Sequence, residues 1–578
     1  MPSKAKKTTA NDGSEEGAAL SFPSSSTSKV GKDILASATE AAIPYLGSFA
    51  SSVTNDIRNE RNWRWNYHRH VIRHMRVCAS SPPDGALAVA RVGLQQIYQT
   101  FQYNNMPLRD ALDLHRRKIR SDEAATAGGT GSDSRMPEPY FRTGRIDGTT
   151  VRNNNNSAAL TLPVGPKGRT VLRGPEVNNQ MTAWLEKGVI EPDTAAAIRN
   201  LQPEQDFILS DSEWVFVVMG AGAAMGPLET LLSLGAHVIA IDLPIPAVWQ
   251  RLFRLAKTSP GGSITFPMTP LSSEIGERLG DDNQASDDSS RMAQRAGCNL
   301  LTQITELIDW LVQQHPTRRL VLGSYAYLDS AAFVKVSLAM DAVVSETLHA
   351  RPDSALAYLC SPTDCFAVPP AASEAAMENC RNFNTTKTQK WLQRMLPKGR
   401  ILDQNVVEQT RGTDLPLVDG LVLQQGPNYF LAKRLQHWRC MVAKASDTVV
   451  SSNVAPASFT RSVTKNTLIN AAFGGLGDHF PPLEVFEPET SNVLMTYLLL
   501  HDLKQQNQHN AAKSTDHPLS LFATTPVHNG IWRCPFKIRS IVEIVVAYYF
   551  MDMYRPHLVG TGTVATVAGA AYIWRSRL

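Results

Sequence analysis

Residues Val217–Pro244 read "VVMGAGAAMGPLETLLSLGAHVIAIDLP". An apolar run meets a glycine-rich turn. A short amphipathic segment follows and ends at Gly235, and a second apolar run closes on Asp242. This is the pattern of a buried strand, a tight turn, a helix and a second buried strand with a carboxylate at its end. Such a turn lies at the carboxyl edge of a parallel sheet. Gly220 and Gly222 let the backbone approach a pyrophosphate, Gly226 lets the helix pack on the strand, and the helix N-terminus faces the phosphates. Asp242, 22 residues after Gly220, can accept hydrogen bonds from both ribose hydroxyls and repels a 2′-phosphate. NAD is expected, with NADP as the alternative. The same turn and acid would also serve S-adenosylmethionine, and small residues also occur where a helix merely packs tightly on a strand.

The rest of the chain extends this reading. "SITF" (263–266), "RLVLG" (319–323), "SALAYL" (354–359) and "DTVVSSNV" (447–454) are strand candidates. They alternate with helical stretches at 291–314, 330–350 and 428–446, which predicts an α/β fold with a doubly wound parallel sheet covered on both faces. Residues 366–426 interrupt the alternation with a long, partly helical insertion. The 136–205 region contains turn-rich "RTGRIDGTTVRNNNN", a strand in "GRTVLRG" and helical "NNQMTAWLEKGVIEPDTAAAIRNL", and is expected to cap the domain that follows. Residues 33–55 and 84–118 are expected to be helical, residues 121–135 to form a flexible loop, and residues 1–32 to be disordered.

The chain has 578 residues, 43% hydrophobic and 19% charged, with a formal net charge of +4. It is too long for one ordinary core, and its charge makes no general case for nucleic acid. The segment "RNERNWRWNYHRHVIRHMRVC", Arg58–Cys78, holds six arginines, three histidines, two tryptophans and a tyrosine. It could face an anionic partner. A helix with a packed aromatic stripe and solvated arginines accounts for it more simply. Seven scattered cysteines without a CxxC pair indicate a reduced, intracellular compartment. The histidines lack metal-ligand spacing, so no metal is expected.

Downstream, Tyr429 and Lys433 are four residues apart at the start of an apparent helix and share a face. A lysine ammonium beside a phenol is expected to lower the tyrosine pKa and make it an acid/base. With these residues in place, "MGAGAAMG" (219–226) resembles the TGAGxGIG cofactor turn of the short-chain dehydrogenase/reductase family. "YFLAK" (429–433) resembles its YxxxK, "SSNVAPASFTRSV" (451–463) its NxVxPG turn, and "EPETSNVLMTYLLLHDL" (487–503) its last helix. The resemblance covers roughly residues 212–505. It implies a Rossmann-type fold, a nicotinamide cofactor and interconversion of a carbonyl and an alcohol on a small-molecule substrate; the apolar C-terminal region and the large insertion would suit a bulky or lipophilic one. It also implies catalytic roles for Ser361, Tyr429 and Lys433, with Thr363 as the fallback for the serine. Cofactor contacts would come from Gly220, Gly222, Met225, Gly226, Asp242, Lys433 and Pro456. Met219, Ala224 and Ala457 depart from the family pattern, "LGSYAY" (322–327) stands where it has NNAG, and 68 residues separate Ser361 from Tyr429.

The expected organisation is a disordered to weakly helical N-terminus (1–55), a helical capping extension (56–205), the Rossmann-type domain (206–510) and a C-terminal extension (511–578). "IVEIVVAYYFMDMY" (541–554) reads as a buried or amphipathic helix. "LVGTGTVATVAGAAYIW" (558–574) carries no charge, and the last residues, Ser576-Arg577-Leu578, resemble a peroxisomal address. A buried helix, membrane-surface contact and a peroxisomal tail remain open for it, as does a homo-oligomer for the whole chain. Two other functions stay in view: an S-adenosylmethionine-dependent methyltransferase, and a non-catalytic nucleotide-binding scaffold.

Overall fold

In the strand Trp214–Met219 every side chain is buried. Val215, Val217 and Met219 point into one core, and Trp214, Phe216 and Val218 into another. A strand apolar on both faces belongs inside a covered parallel sheet, and the computed structural model places it there. Residues 20–23, 27–127, 140–148, 160–270, 288–383, 402–407, 415–464, 467–508 and 516–554 are described.

The central sheet has seven strands: β1 (Arg142–Asp147), β2 (Trp214–Met219), β3 (His237–Ile241), β4 (Ser263–Met268), β5 (Arg319–Ser324), β6 (Ala355–Tyr358) and β7 (Val450–Ser451). Their spatial order is β7-β6-β5-β2-β3-β4-β1. The strands β2 to β7 run parallel, and β1 is antiparallel to β4. The chain therefore winds outward from β2 through β3 and β4, returns to the other side of β2, and continues through β5, β6 and β7. The reversal opens a crevice at the carboxyl ends of β2 and β5, where open α/β sheets bind their ligands.

Several boundaries differ from the sequence reading, each for a local reason. The turn-rich 141–148 region supplies edge strand β1. Gly144 lies against Phe266, so a Cβ there would come within 2.3 Å of the ring. The helix expected over 84–118 ends at Thr100. Asn104 and Asn105 adopt left-handed φ values of 54° and 61° and turn a short hairpin before the chain resumes as Leu108–Ala127. That helix runs into the loop expected at 121–135, and residues 128–139 lie outside the described residues. The helix expected over 33–55 is split into Thr27–Glu40 and Ser48–Asn59 by a segment containing Pro44 and Gly47. The helix over 291–314 is split into Asp288–Arg295 and Ile304–Leu311, with Gly297 at φ 107° between them. Residues 20–32 were expected to be disordered, yet Leu20 is buried and Ser21 pairs with Gln102.

One face of the sheet carries the helices Ser330–Ala350 and Gly426–Lys444, overlaid by the N-terminal helices Thr27–Glu40, Trp63–Ser80 and Pro83–Thr100. The fit is close: a Cβ on Gly93 would meet the Trp438 ring at 2.6 Å. The arginine-rich 58–78 segment follows its simpler reading. Trp63, Tyr67 and Met75 are buried, and the Tyr67 hydroxyl donates to the Val422 carbonyl at 3.1 Å. The other face carries the helices Leu228–Ser233, Pro246–Lys257 and Pro488–Gln508 with the capping helices Pro175–Lys187 and Pro192–Arg199. As expected, 541–554 is helical, within Ile538–Tyr554, and Ile541 and Val545 are buried. Residues 558–574 and the terminal Ser576-Arg577-Leu578 lie outside the described residues. Among the described residues, no helix is long and apolar enough to cross a membrane.

The cap is pinned to the C-terminal segment by Glu191. Its carboxylate accepts from Arg533 Nε at 2.8 Å and Nη2 at 2.7 Å, and pairs with His528 Nε2 at 3.0 Å. Burial pushes the Glu191 carboxyl up, but hydrogen bonds from Arg533 and then His528 outweigh it and take the pKa from 4.5 down to about 2. A carboxyl depressed in the fold stabilises above its unfolded pKa, and that stability is lost as pH falls through the folded value. The thermal midpoint should therefore drop between pH 4.5 and about 2. Glu191→Gln should begin from a lower midpoint at neutral pH and fall less steeply. Superimposable slopes in a pH series of melting curves would remove Glu191 from this role.

Candidate active site

The glycine-rich turn leaves β2 with Gly220 at φ 92°. A Cβ there would lie 2.4 Å from the Ala326 amide nitrogen, so both the dihedral and the close approach require glycine. Gly220 and Ala221 donate their amides to the Ile241 carbonyl at 2.8 and 3.1 Å. Gly222 donates to Asp242 Oδ2 at 2.6 Å, and Leu243 donates to Oδ1 at 2.8 Å. A Cβ on Gly222 would meet Asp242 Oδ2 at 3.0 Å and the Val248 side chain at 3.1 Å. Gly222 thus admits its own aspartate, a use of the glycine that the sequence reading assigned to phosphate approach. Gly226 has ordinary contacts at its Cβ position, and its carbonyl accepts from the Asn492 side chain. The helix that follows is one short piece, Leu228–Ser233, and the Asn492 contact holds its approach from the far helix.

Asp242 sits at the end of β3 as expected. Burial pushes its carboxyl up, opposed by the Gly222 and Leu243 amides and by Arg251. Arg251 also donates to the Gly222 carbonyl at 3.1 Å. A carboxylate has about four lone-pair sites, so two amide bonds leave capacity for the two hydroxyls of a ribose. Asp242 and the turn are the residues here that could hold a ribose. Beyond them a narrow cleft runs between Met225, Tyr325, Leu359, Ser451, Asn453 and Asn492, across the ends of β5, β6 and β7. Pro456 is buried in the loop leaving β7, where Ala455 donates to the Cys360 carbonyl at 2.9 Å.

Ser361 follows β6, and Tyr429 lies on the helix Gly426–Lys444. The 68-residue gap between them is closed at its base. The strand Cys365–Ala367 pairs antiparallel with Leu417–Asp419, which pairs in turn with Val406–Val407. The insertion read as irregular therefore leaves and re-enters the domain through a three-stranded sheet. Gly420 is squeezed against the Pro362 and Asp364 carbonyls, at 2.8 and 3.1 Å from a Cβ. Above this base, Arg434 donates through Nη2 to both oxygens of Asp364 at 2.9 Å, with side chains only 3% and 4% exposed. Asp364 is three residues past Ser361 and Arg434 five past Tyr429, so this ion pair holds the two site segments together.

The structure sets Ser361 near enough to Tyr429 to act on its phenol. The chain of polar groups continues: Ser361 Oγ lies 2.7 Å from Thr363 Oγ1, and Thr363 donates to Gln425 Oε1 at 2.9 Å. Thr363, the fallback for Ser361, is thus its partner. Lys433 stands one turn beyond Tyr429, donating to the Leu359 carbonyl at 2.9 Å and to Gln436 Oε1 at 3.1 Å. The expected lowering of the tyrosine pKa is not what this arrangement produces. Burial pushes the Tyr429 phenol well up, with Ser361 pulling the other way. Burial also pushes the Lys433 ammonium down. Desolvation dominates both groups, and the Lys433 ammonium is turned toward the Leu359 carbonyl.

Sequence reasoning missed Asp364, Arg434, Gln425 and Asn492. Asp364 and Arg434 carried no spacing signal because their pairing spans the insertion. Gln425, just ahead of the Gly-Pro that opens the Tyr429 helix, was within reach as a terminus residue. Among the described residues, no group of histidine, cysteine, aspartate or glutamate is arranged to hold a metal. Comparison with protein-family models, with characterised proteins and with solved structures finds no match to this chain.

Breaking a buried ion pair strands the remaining charge, at a cost of about 3–5 kcal/mol. Asp364→Asn should cost a large part of that in urea denaturation. Asp364→Leu combined with Arg434→Met should recover most of the loss, since no uncompensated charge remains. A double variant as unstable as Asp364→Asn would mean that packing, and not charge pairing, dominates here.

Proposed function

We propose that the protein is a nicotinamide-dependent oxidoreductase interconverting a carbonyl and an alcohol on a Rossmann-type α/β domain, with chemistry of the short-chain dehydrogenase/reductase kind. The observation that carries the reading is the return of the chain after the 68-residue excursion, which brings the Tyr429 helix back to the end of β6, near Ser361 and with Lys433 on the Leu359 carbonyl, at the sheet edge that holds the glycine turn and Asp242. The strand order supports it, since the chain reverses beside β2, where such folds hold dinucleotides.

In this reading Gly220–Gly226 and Asp242 hold the adenosine diphosphate half of the cofactor, and Asp242 favours NAD over NADP. Met225 and Pro456 lie along the path toward the reacting end. Bound there, the nicotinamide ring supplies or accepts the hydride. In reduction, Tyr429 gives its phenolic proton to the developing alkoxide. Burial keeps it protonated at rest, so transfer requires the developing negative charge on the substrate oxygen to draw the proton off. Ser361 hydrogen-bonds the same oxygen and orients the carbonyl. Lys433 fixes the Tyr429 helix against the end of β6 through the Leu359 carbonyl, and its ammonium favours the phenolate left after transfer.

Tyr429→Phe removes one hydroxyl with little change of volume. Folding and cofactor binding should persist while turnover falls on the order of 10²–10⁴-fold, the usual contribution of a positioned acid/base. The check is NADH oxidation against a panel of aldehydes and ketones. It is paired with calorimetric titration of NADH, NADPH and S-adenosylmethionine into wild type, Tyr429→Phe and Gly222→Val. Full rate in Tyr429→Phe would move the chemistry elsewhere. Binding of S-adenosylmethionine alone would replace the reading with a methyltransferase, and cofactor binding without turnover on any carbonyl would leave a nucleotide-binding scaffold.

A further inference from the structure

Next to Tyr429 lies an exposed aromatic side chain that the proposed chemistry does not use. Tyr327, three residues past the end of β5, is 49% exposed. Its ring centroid lies 4.8 Å from Phe333 and 6.4 Å from Tyr429, and Phe333 lies 5.4 Å from Tyr429. Phe333 is buried. Tyr327 is thus the member of this three-ring cluster that turns a broad face to solvent, beside the proposed acid.

The ring also has an acidic neighbour. Its hydroxyl lies near Asp329. Asp329 occupies the N-cap position of the helix Ser330–Ala350, yet its side chain makes no capping bond. An aspartate there normally accepts from the helix's own amides and contributes about 1 kcal/mol. Here the carboxylate lies near the Tyr327 hydroxyl and makes no capping bond. The next residue, Ser330, adopts φ 54°, a left-handed conformation that costs a non-glycine residue on the order of 1 kcal/mol or more. An uncapped helix and a strained residue are both consistent with an aromatic wall fixed in place for a ligand.

We propose that Tyr327 binds the flat, neutral aryl or conjugated flank of the carbonyl substrate. This assignment rests on the oxidoreductase reading of the Tyr429 site. A ring packed against Tyr327 would set its carbonyl carbon beside Tyr429 and Ser361, because Tyr327 and Tyr429 share the Phe333 contact. Asp329, exposed at the same rim, disfavours a carboxylate on that flank by like-charge repulsion. Lys433 faces inward to the Leu359 carbonyl and does not offset it. The substrate class is a neutral aryl aldehyde or ketone, in preference to an aliphatic or acidic one.

The test uses the full-length protein and two neutral ketones of equal carbon count, acetophenone and methyl hexyl ketone. Each is titrated calorimetrically with and without saturating NAD⁺, which leaves a ketone unreacted, and each is then assayed for turnover with NADH. An aromatic pair contributes about 0.5–1.5 kcal/mol beyond area burial, so acetophenone should bind roughly two- to tenfold more tightly. Tyr327→Leu keeps apolar bulk at a half-exposed position and should bring that ratio to about one, with NAD⁺ affinity unchanged. Tyr327→Phe keeps the ring and should retain most of the ratio. A wild-type ratio near one, or a ratio that survives Tyr327→Leu, overturns the proposal. So does a Tyr327→Leu variant that loses NAD⁺ while keeping the ratio, since the ring would then serve the cofactor. A Tyr327-dependent ratio with no NADH turnover on either ketone would support the aryl site and reject the oxidoreductase reading. Equal turnover and equal binding of both ketones would do the reverse.

Discussion

A guanidinium and a carboxylate buried together hold the two ends of the chain's longest excursion at one place. Arg434 and Asp364 are almost fully removed from water, at 3% and 4% exposure. Two such charges are stable in that setting only as a pair, since a stranded one carries a desolvation penalty of several kcal/mol. Asp364 belongs to the segment leaving β6 and Arg434 to the helix that runs into β7. Their pairing obliges the chain to return to its point of departure after the long excursion between them. Ser361 and Tyr429 come near each other because the pair is closed, and the small antiparallel sheet beneath it keeps the excursion out of the way.

The extensions at both ends of the chain serve the same helix and sheet. From the N-terminal side, Met75 approaches Arg434 through its sulfur at 3.1 Å, and Arg64 and Tyr67 donate to the Leu423 and Val422 carbonyls just ahead of the Tyr429 helix. Farther along, Tyr98 and Arg439 both hydrogen-bond Asp341, tying the extension, the Tyr429 helix and the helix Ser330–Ala350 into one layer. From the C-terminal side, Arg539 donates to Asp419 at 2.6 Å and braces the base of the excursion. The Tyr429 helix is therefore enclosed on several sides. That enclosure raises the Tyr429 phenol and lowers the Lys433 ammonium.

Much of the parallel sheet was legible from local pattern. Runs such as "WVFVVM" and "HVIAI" are apolar at every position, and only a strand covered on both faces accommodates that. Gly220 and Asp242 were legible because a left-handed turn residue and an acid at a strand end have local causes. The hairpin at Asn104–Asn105 and the edge strand Arg142–Asp147 were harder to see. The first is a two-residue event inside a helical pattern, and the second has polar, exposed alternate positions and becomes a strand only by pairing with β4.

The sequence by itself determined the elements whose side chains repeat with a period: the buried strands, the amphipathic helices between them, the glycine turn, and the shared face of Tyr429 and Lys433. Those features depend on neighbours within a few residues, so composition and spacing carry them. Tertiary structure decided the rest. It set the strand order, the use of Gly222 to admit Asp242, the approach of Ser361 to Tyr429, and the direction of the Tyr429 pKa. Each of these depends on groups tens to hundreds of residues apart and on how much water their packing excludes. Desolvation and long-range pairing are properties of the assembled interior, and no local window of sequence contains them.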